Sequence, residues 1–122
     1  APDTLGSDVY AHNLNGPVWD LSVVMSKILA LGLSFSQVLE GVTAAPRRAL
    51  GLPEARLEPG AEAAFTIFSL DGTDLSLPDA EGEAMRLEKR FTPRAILWRG
   101  ELADAASRLP AGSGGGAGGA RP

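Results

Sequence analysis

Asp3-Thr4-Leu5-Gly6-Ser7-Asp8-Val9-Tyr10 runs through a loop containing His12, Asn13, Asn15, Gly16 and Pro17 into Asp20-Leu21-Ser22-Val23-Val24-Met25-Ser26-Lys27-Ile28-Leu29-Ala30-Leu31-Gly32. Pro2, Gly6, Asn13, Asn15, Gly16 and Pro17 punctuate the first 18 residues, so most of them read as loop, and only Thr4 to Tyr10 has the makings of a short strand. Asp20 or Ser22 can accept the first free N–H groups of a helix whose apolar positions Val24, Met25, Ile28, Leu29 and Leu31 recur at helical spacing. Gly32 then suits the left-handed position that closes helices. The expected order is strand, carboxylate-bearing loop, helix.

Downstream, Ser34 and Gln37 have the spacing of a capping box, and Leu33 is placed to staple onto Val38, which predicts a second short helix to about Val42. Pro46 suits the first turn of a third, containing Arg47, Arg48 and Leu50 and closed by Gly51. From Leu57 the character changes. Pro59-Gly60 marks a turn, and Ala64 to Leu70 is rich in strand formers. Asp71-Gly72 reads as a two-residue hairpin turn, with Leu75 to Leu77 returning from it and Asp79 to Glu83 as polar loop. Met85 to Phe91 alternates imperfectly, interrupted at Lys89, and Ala95 to Leu102 reads as a strand that turns or bulges at Gly100. Three or four strands are too few for a closed barrel or full sandwich, and leave edges open to self-association.

Composition narrows the function. Apolar residues at 44% against 21% charged fit a packed core rather than a disordered chain. The net charge of −4, with Lys and Arg scattered, gives no footprint for nucleic acid or anionic lipid. Without cysteine there is neither a disulfide nor a thiolate nucleophile. No apolar run approaches the roughly 18 residues of a bilayer span, and no signal segment opens the chain, so a cytoplasmic protein is expected. Ala1-Pro2 at the start suggests a longer reading frame or processing.

One histidine, His12, cannot build a histidine-rich metal site, and Ser7, Asp8 and His12 crowd one loop too closely for triad geometry. The glycines between 112 and 119 precede no helix, so residues 110–122 read as a disordered Gly/Ala-rich tail rather than a phosphate cradle. Asp8 stands apart because it ends the expected strand and opens the loop, a position suited to general acid or base work, although from local pattern alone a turn-forming role is the commoner one.

The Ser7-Asp8 loop, Gly16-Pro17, Asp20-Leu21, Met25-Ser26-Lys27 and Leu31-Gly32 together resemble the end of the barrel in the amidohydrolase superfamily. They look closest to the amidohydrolase/deacetylase metallohydrolases related to dihydroorotases. The resemblance continues through Pro46, Leu50-Gly51, Pro59-Gly60 and Ala64 to Arg90, Pro93, Ile96 and Arg99-Gly100, roughly residues 2 to 102. It implies an α/β carboxyl-terminal piece: the last strand and helices of a (β/α)8 barrel over 1–55, followed over 56–109 by strands of a small flanking β-sandwich domain. It also implies hydrolysis of an amide or ester in a small acylated substrate, with zinc in the intact enzyme and none held by this chain alone.

In that reading Asp8 is both metal ligand and catalytic proton shuttle, while Asn13, Gly16 and Pro17 line the substrate loop. The chain departs from the family pattern at Tyr10, where histidine is common, and at Phe65, where an Ala-Asp pair usually opens the β domain. Those departures support the alternative of a non-catalytic interaction domain or pseudoenzyme derived from the same scaffold.

Overall fold

A computed structural model describes residues 2–109; the expected tail over 110–122 lies outside the described residues. Three helices precede a three-stranded antiparallel sheet of order β1-β2-β3.

Helix α1 spans Leu21–Ala30, with the Asp20 side chain accepting from the Val23 N–H. Helix α2, Phe35–Val42, carries the complete capping box: the Gln37 N–H donates to Ser34 Oγ, and the Ser34 N–H donates to Gln37 Oε1. Helix α3 covers Ala44–Ala49. Residues 50–60 are exposed and irregular.

Thr4–Tyr10 is not a strand, contrary to the sequence expectation. A strand requires a neighbouring edge to satisfy its ladder, and the described residues offer this segment one backbone contact of that kind, Leu5 N–H to the Gly41 carbonyl at 2.8 Å. Leu5 then packs beside Val38, Met25 and Phe91.

Strands β1, Ala64–Pro78, and β2, Ala84–Trp98, form a hairpin of 15 residues a side, and β3 is Glu101–Asp104. Asp71-Gly72 is therefore not its turn. These two residues pair with Arg90 and Lys89, and the extra residue appears just beyond them as a bulge before Leu75. The Asp71 carboxylate, on the face of the sheet, accepts from Ser69 Oγ of its own strand at 2.9 Å and from Arg94 of β2 at 3.3 Å, so a local turn preference loses to the cross-strand pairing. The reversal comes at 79–83, where Asp79 Oδ1 accepts from the N–H groups of Glu81 and Glu83 and Gly82 adopts φ +86°.

A second irregularity lies between Ile67 and Phe68, opposite Pro93, which has no N–H to give the ladder. The tight turn into β3 is Arg99-Gly100, both at positive φ as a two-residue type I′ connection requires.

The core is built between α1 and the hairpin. Val23 packs with Leu75, Leu77, Leu87 and Leu109, all 3% exposed or less, and Trp19 leans on this group. The second cluster joins Met25 and Val38 to Phe91, whose ring lies edge-on to Phe68 and stacks with Phe35. The early helices and late strands thus share their apolar interior. Ser26 Oγ adds a polar tie, accepting from the buried Phe91 N–H at 2.9 Å while donating to the Ser22 carbonyl. It stands beside β2 where β3, which pairs only residues 95–98, does not reach.

Candidate functional site

Asn13 organises the loop that the sequence singled out. Its side-chain oxygen accepts from the Tyr10 N–H at 2.8 Å, its amide nitrogen donates to the Asp8 carbonyl at 3.1 Å, and its own carbonyl accepts from Gly16, Val18 and Trp19. Asp8 is exposed and sits at φ +53°, a left-handed conformation that aspartate tolerates better than most residues. Its backbone is thereby fixed to the loop, with the carboxylate facing solvent rather than serving as the loop's hydrogen-bond acceptor.

Gly16 and Pro17, joined by a cis peptide, border a cleft of about 540 Å³ closed on its other side by Leu77, Pro78 and Asp79 of the hairpin. At φ +121°, with a Cβ that would meet the Trp19 ring at 3.0 Å, Gly16 leaves no room for a side chain. The structure therefore brings Asp8 and Asn13 together, and it brings Gly16 and Pro17 to a cleft, but Asp8 does not line that cleft. Tyr10 and His12 meet edge to face at 5.6 Å.

Two residues that sequence reasoning gave no site role hold this region. Lys27 Nζ donates to the Pro17 carbonyl at 2.6 Å and the Pro78 carbonyl at 2.7 Å, and lies 5.6 Å from the centre of the Trp19 ring. Burial pushes its pKa below the usual lysine value, against the opposing pull of the Asp79 carboxylate.

Asp20 does more than cap α1. Ser107 Oγ at 2.6 Å and the Arg108 N–H at 2.7 Å donate to its second oxygen, 87 and 88 residues away along the chain. Partial burial favours the neutral acid, but the hydrogen bonds from Ser107, Ser22, Arg108 and Val23 outweigh it and hold the carboxyl below its ordinary value. Lys27 in the Met25-Ser26-Lys27 run and Asp20 at the capping position were visible signals; their distant partners were not.

Among the described residues no three His, Cys, Asp or Glu side chains gather as a metal site would need. These residues do not by themselves fit a zinc centre. Nor is any helix long and apolar enough to cross a membrane.

No protein-family model matches the chain. It is 38% identical over 110 residues to a protein named deacetylase from Brucella anthropi and 37% identical over the same length to one from Agrobacterium fabrum. In each case the alignment takes in 89% of this chain and 27% of the relative, so the chain spans little more than a quarter of their length. A crystal structure of a dihydroorotase superimposes with a TM-score of 0.83 at 37% identity, covering 87% of this chain and 29% of that one. An adenine deaminase follows with a TM-score of 0.75 at 29% identity, over 84% and 28%.

Proposed function

Because its relatives and structural neighbours belong to the amidohydrolase superfamily, and it corresponds to the carboxyl-terminal portion of such a protein, we propose that the chain supplies the Asp8 loop of a hydrolase acting on an amide or ester of a small acylated substrate. The deacetylase relatives across 89% of the chain carry this reading. The Asp8 carboxylate takes a proton from the water that attacks the substrate carbonyl and returns it to the leaving nitrogen or oxygen, giving acid plus amine or alcohol. Asn13 holds the Asp8 backbone, while Gly16 and Pro17 border the substrate.

In this proposal the whole protein holds zinc chiefly through residues outside the chain, with Asp8 as one ligand, and this chain alone is inactive. A (β/α)8 barrel with a flanking β-sandwich, and residence in the cytoplasm, belong to the same proposal. Its partners are small acylated molecules rather than nucleic acid or membrane.

The test compares zinc-loaded whole protein with its Asp8→Asn variant on N-acetyl amino acids and 4-nitrophenyl acetate. Loss of a proton-transfer group predicts a fall in kcat of about 10²- to 10⁴-fold. Wild-type turnover by Asp8→Asn refutes the assigned role, and hydrolysis by the 122-residue chain carrying stoichiometric zinc refutes the inactivity of the chain alone.

One observation favours a second reading, an interaction domain that self-associates through its sheet. Ile67 and Leu102 on one face of the sheet, and Ile96 and Trp98 on the other, remain exposed toward the open end of the hairpin, where apolar side chains suit a contact with another protein surface.

A further inference from the structure

We infer that Lys27 is a positioning residue that clamps the Gly16–Pro17 loop to the Pro78 end of β1, so that the hairpin sets where the loop stands. The inference rests on the reading above that this loop borders the substrate. An ammonium carries three donors on a compact head, and here two of them meet carbonyls at 2.6 and 2.7 Å, one on each side of the cleft. Its four-carbon stem starts from Lys27 on α1, whose neighbour Ser26 is tied to β2. The clamp is thus anchored on a rigid element.

Among the described residues neither carbonyl is answered by a main-chain donor from the opposite side of the cleft. Pro17 lies 61 residues before Pro78, and among the described residues the backbone hydrogen bonds of the loop close within 10–20, mostly on Asn13. Those bonds shape the loop internally. Lys27 relates it to the hairpin, while the Trp19 ring beside the ammonium makes the contact sensitive to the loop's own conformation.

Lys27→Met, in the whole protein that carries this chain, keeps most of the apolar stem and removes the charge and donors. Amide hydrogen exchange is expected to quicken about tenfold at Gly16, Val18 and Trp19, equivalent to about 1.4 kcal/mol, while the amides of Met25 to Leu29 keep their wild-type rates. Unchanged loop rates overturn the inference. So does equal acceleration throughout the helix and hairpin, which would make Lys27 a general stabiliser.

In the hydrolysis assay on N-acetyl amino acids, KM rises with kcat nearly constant, the signature of disturbed substrate placement; a fall in kcat at constant KM overturns the inference. If the whole protein hydrolyses none of these probes nor 4-nitrophenyl acetate, the hydrolase reading falls while the exchange rates still decide the case for Lys27.

Discussion

Replacing Asp20 with alanine removes two functions of one carboxylate. The cap on α1, made through the Val23 N–H, is worth about 1 kcal/mol. The other oxygen holds the segment leading to the core residue Leu109 through Ser107 and the Arg108 N–H. Hydrogen bonds to a charged acceptor contribute roughly 1.5–3 kcal/mol each when well shielded. Partial exposure places these two at or below the lower bound, so about 2 kcal/mol together is expected.

The total for Asp20→Ala is about 3 kcal/mol, which at urea slopes of about 1–3 kcal/mol/M lowers the unfolding midpoint by roughly 1–3 M. Asp20→Asn keeps a capping oxygen but exchanges the other acceptor for a donor, so it should lose about 2 kcal/mol. Circular dichroism of the chain in urea, at constant slope, measures both.

The carboxyl's folded pKa is depressed, so its stabilisation is fully present above the unfolded value of about 3.9 and is lost as pH falls through the lower folded value. Asp20→Asn should lack that acid-side component. An Asp20→Ala midpoint equal to wild type, or an Asp20→Asn acid profile parallel to wild type, refutes the reasoning.

Two further perturbations address the packing. Ser26→Ala leaves the buried Phe91 N–H without its acceptor and should cost about 1–3 kcal/mol in urea unfolding, more than the near-neutral effect expected of an exposed serine. Gly41→Ala should fail to deliver the roughly 0.5–1 kcal/mol that alanine normally gains over glycine in a helix, because its methyl would meet Leu5 Cγ at 3.0 Å and Cδ1 at 3.1 Å. Faster hydrogen exchange at the Leu5 amide is the specific sign that the amino-terminal segment has been displaced; full helix-propensity gain with unchanged exchange contradicts this packing argument.

The helices were legible because their signals are local: Asp20 before Leu21, and the reciprocal Ser34–Gln37 box, act within one turn. The strand-forming character of Ala64–Leu70 was equally plain, but its extent was not. Asp71-Gly72 has turn chemistry, yet its fate depends on Arg90, Lys89 and Arg94, which local sequence cannot place opposite it. Thr4–Tyr10 erred in the other direction, since strand propensity supplies no partner.

For the candidate site, the sequence marked Asp8 and the Asn13–Pro17 loop through residue pattern and resemblance. It gave no hint that Asn13 would bind the Asp8 carbonyl, or that Lys27 would reach Pro78. The first relation depends on how the loop folds back over residues 8–13, and the second arises only when α1 packs against the hairpin.

The contact between Ser26 and the Phe91 amide also gives the sheet a direction of growth. Along β2 the side facing away from β1 is shared between a four-residue strand and a helix, so an incoming chain cannot lay down a continuous ladder there. The outer margin of β1 pairs with no strand among the described residues, and of its length the Pro78 end is the part engaged, by Lys27. Recruitment of another strand, whether in assembly or in aggregation, is therefore steered to β1, and a proline introduced on its outward-facing N–H positions would restrain polymerisation while leaving the helix-covered side intact.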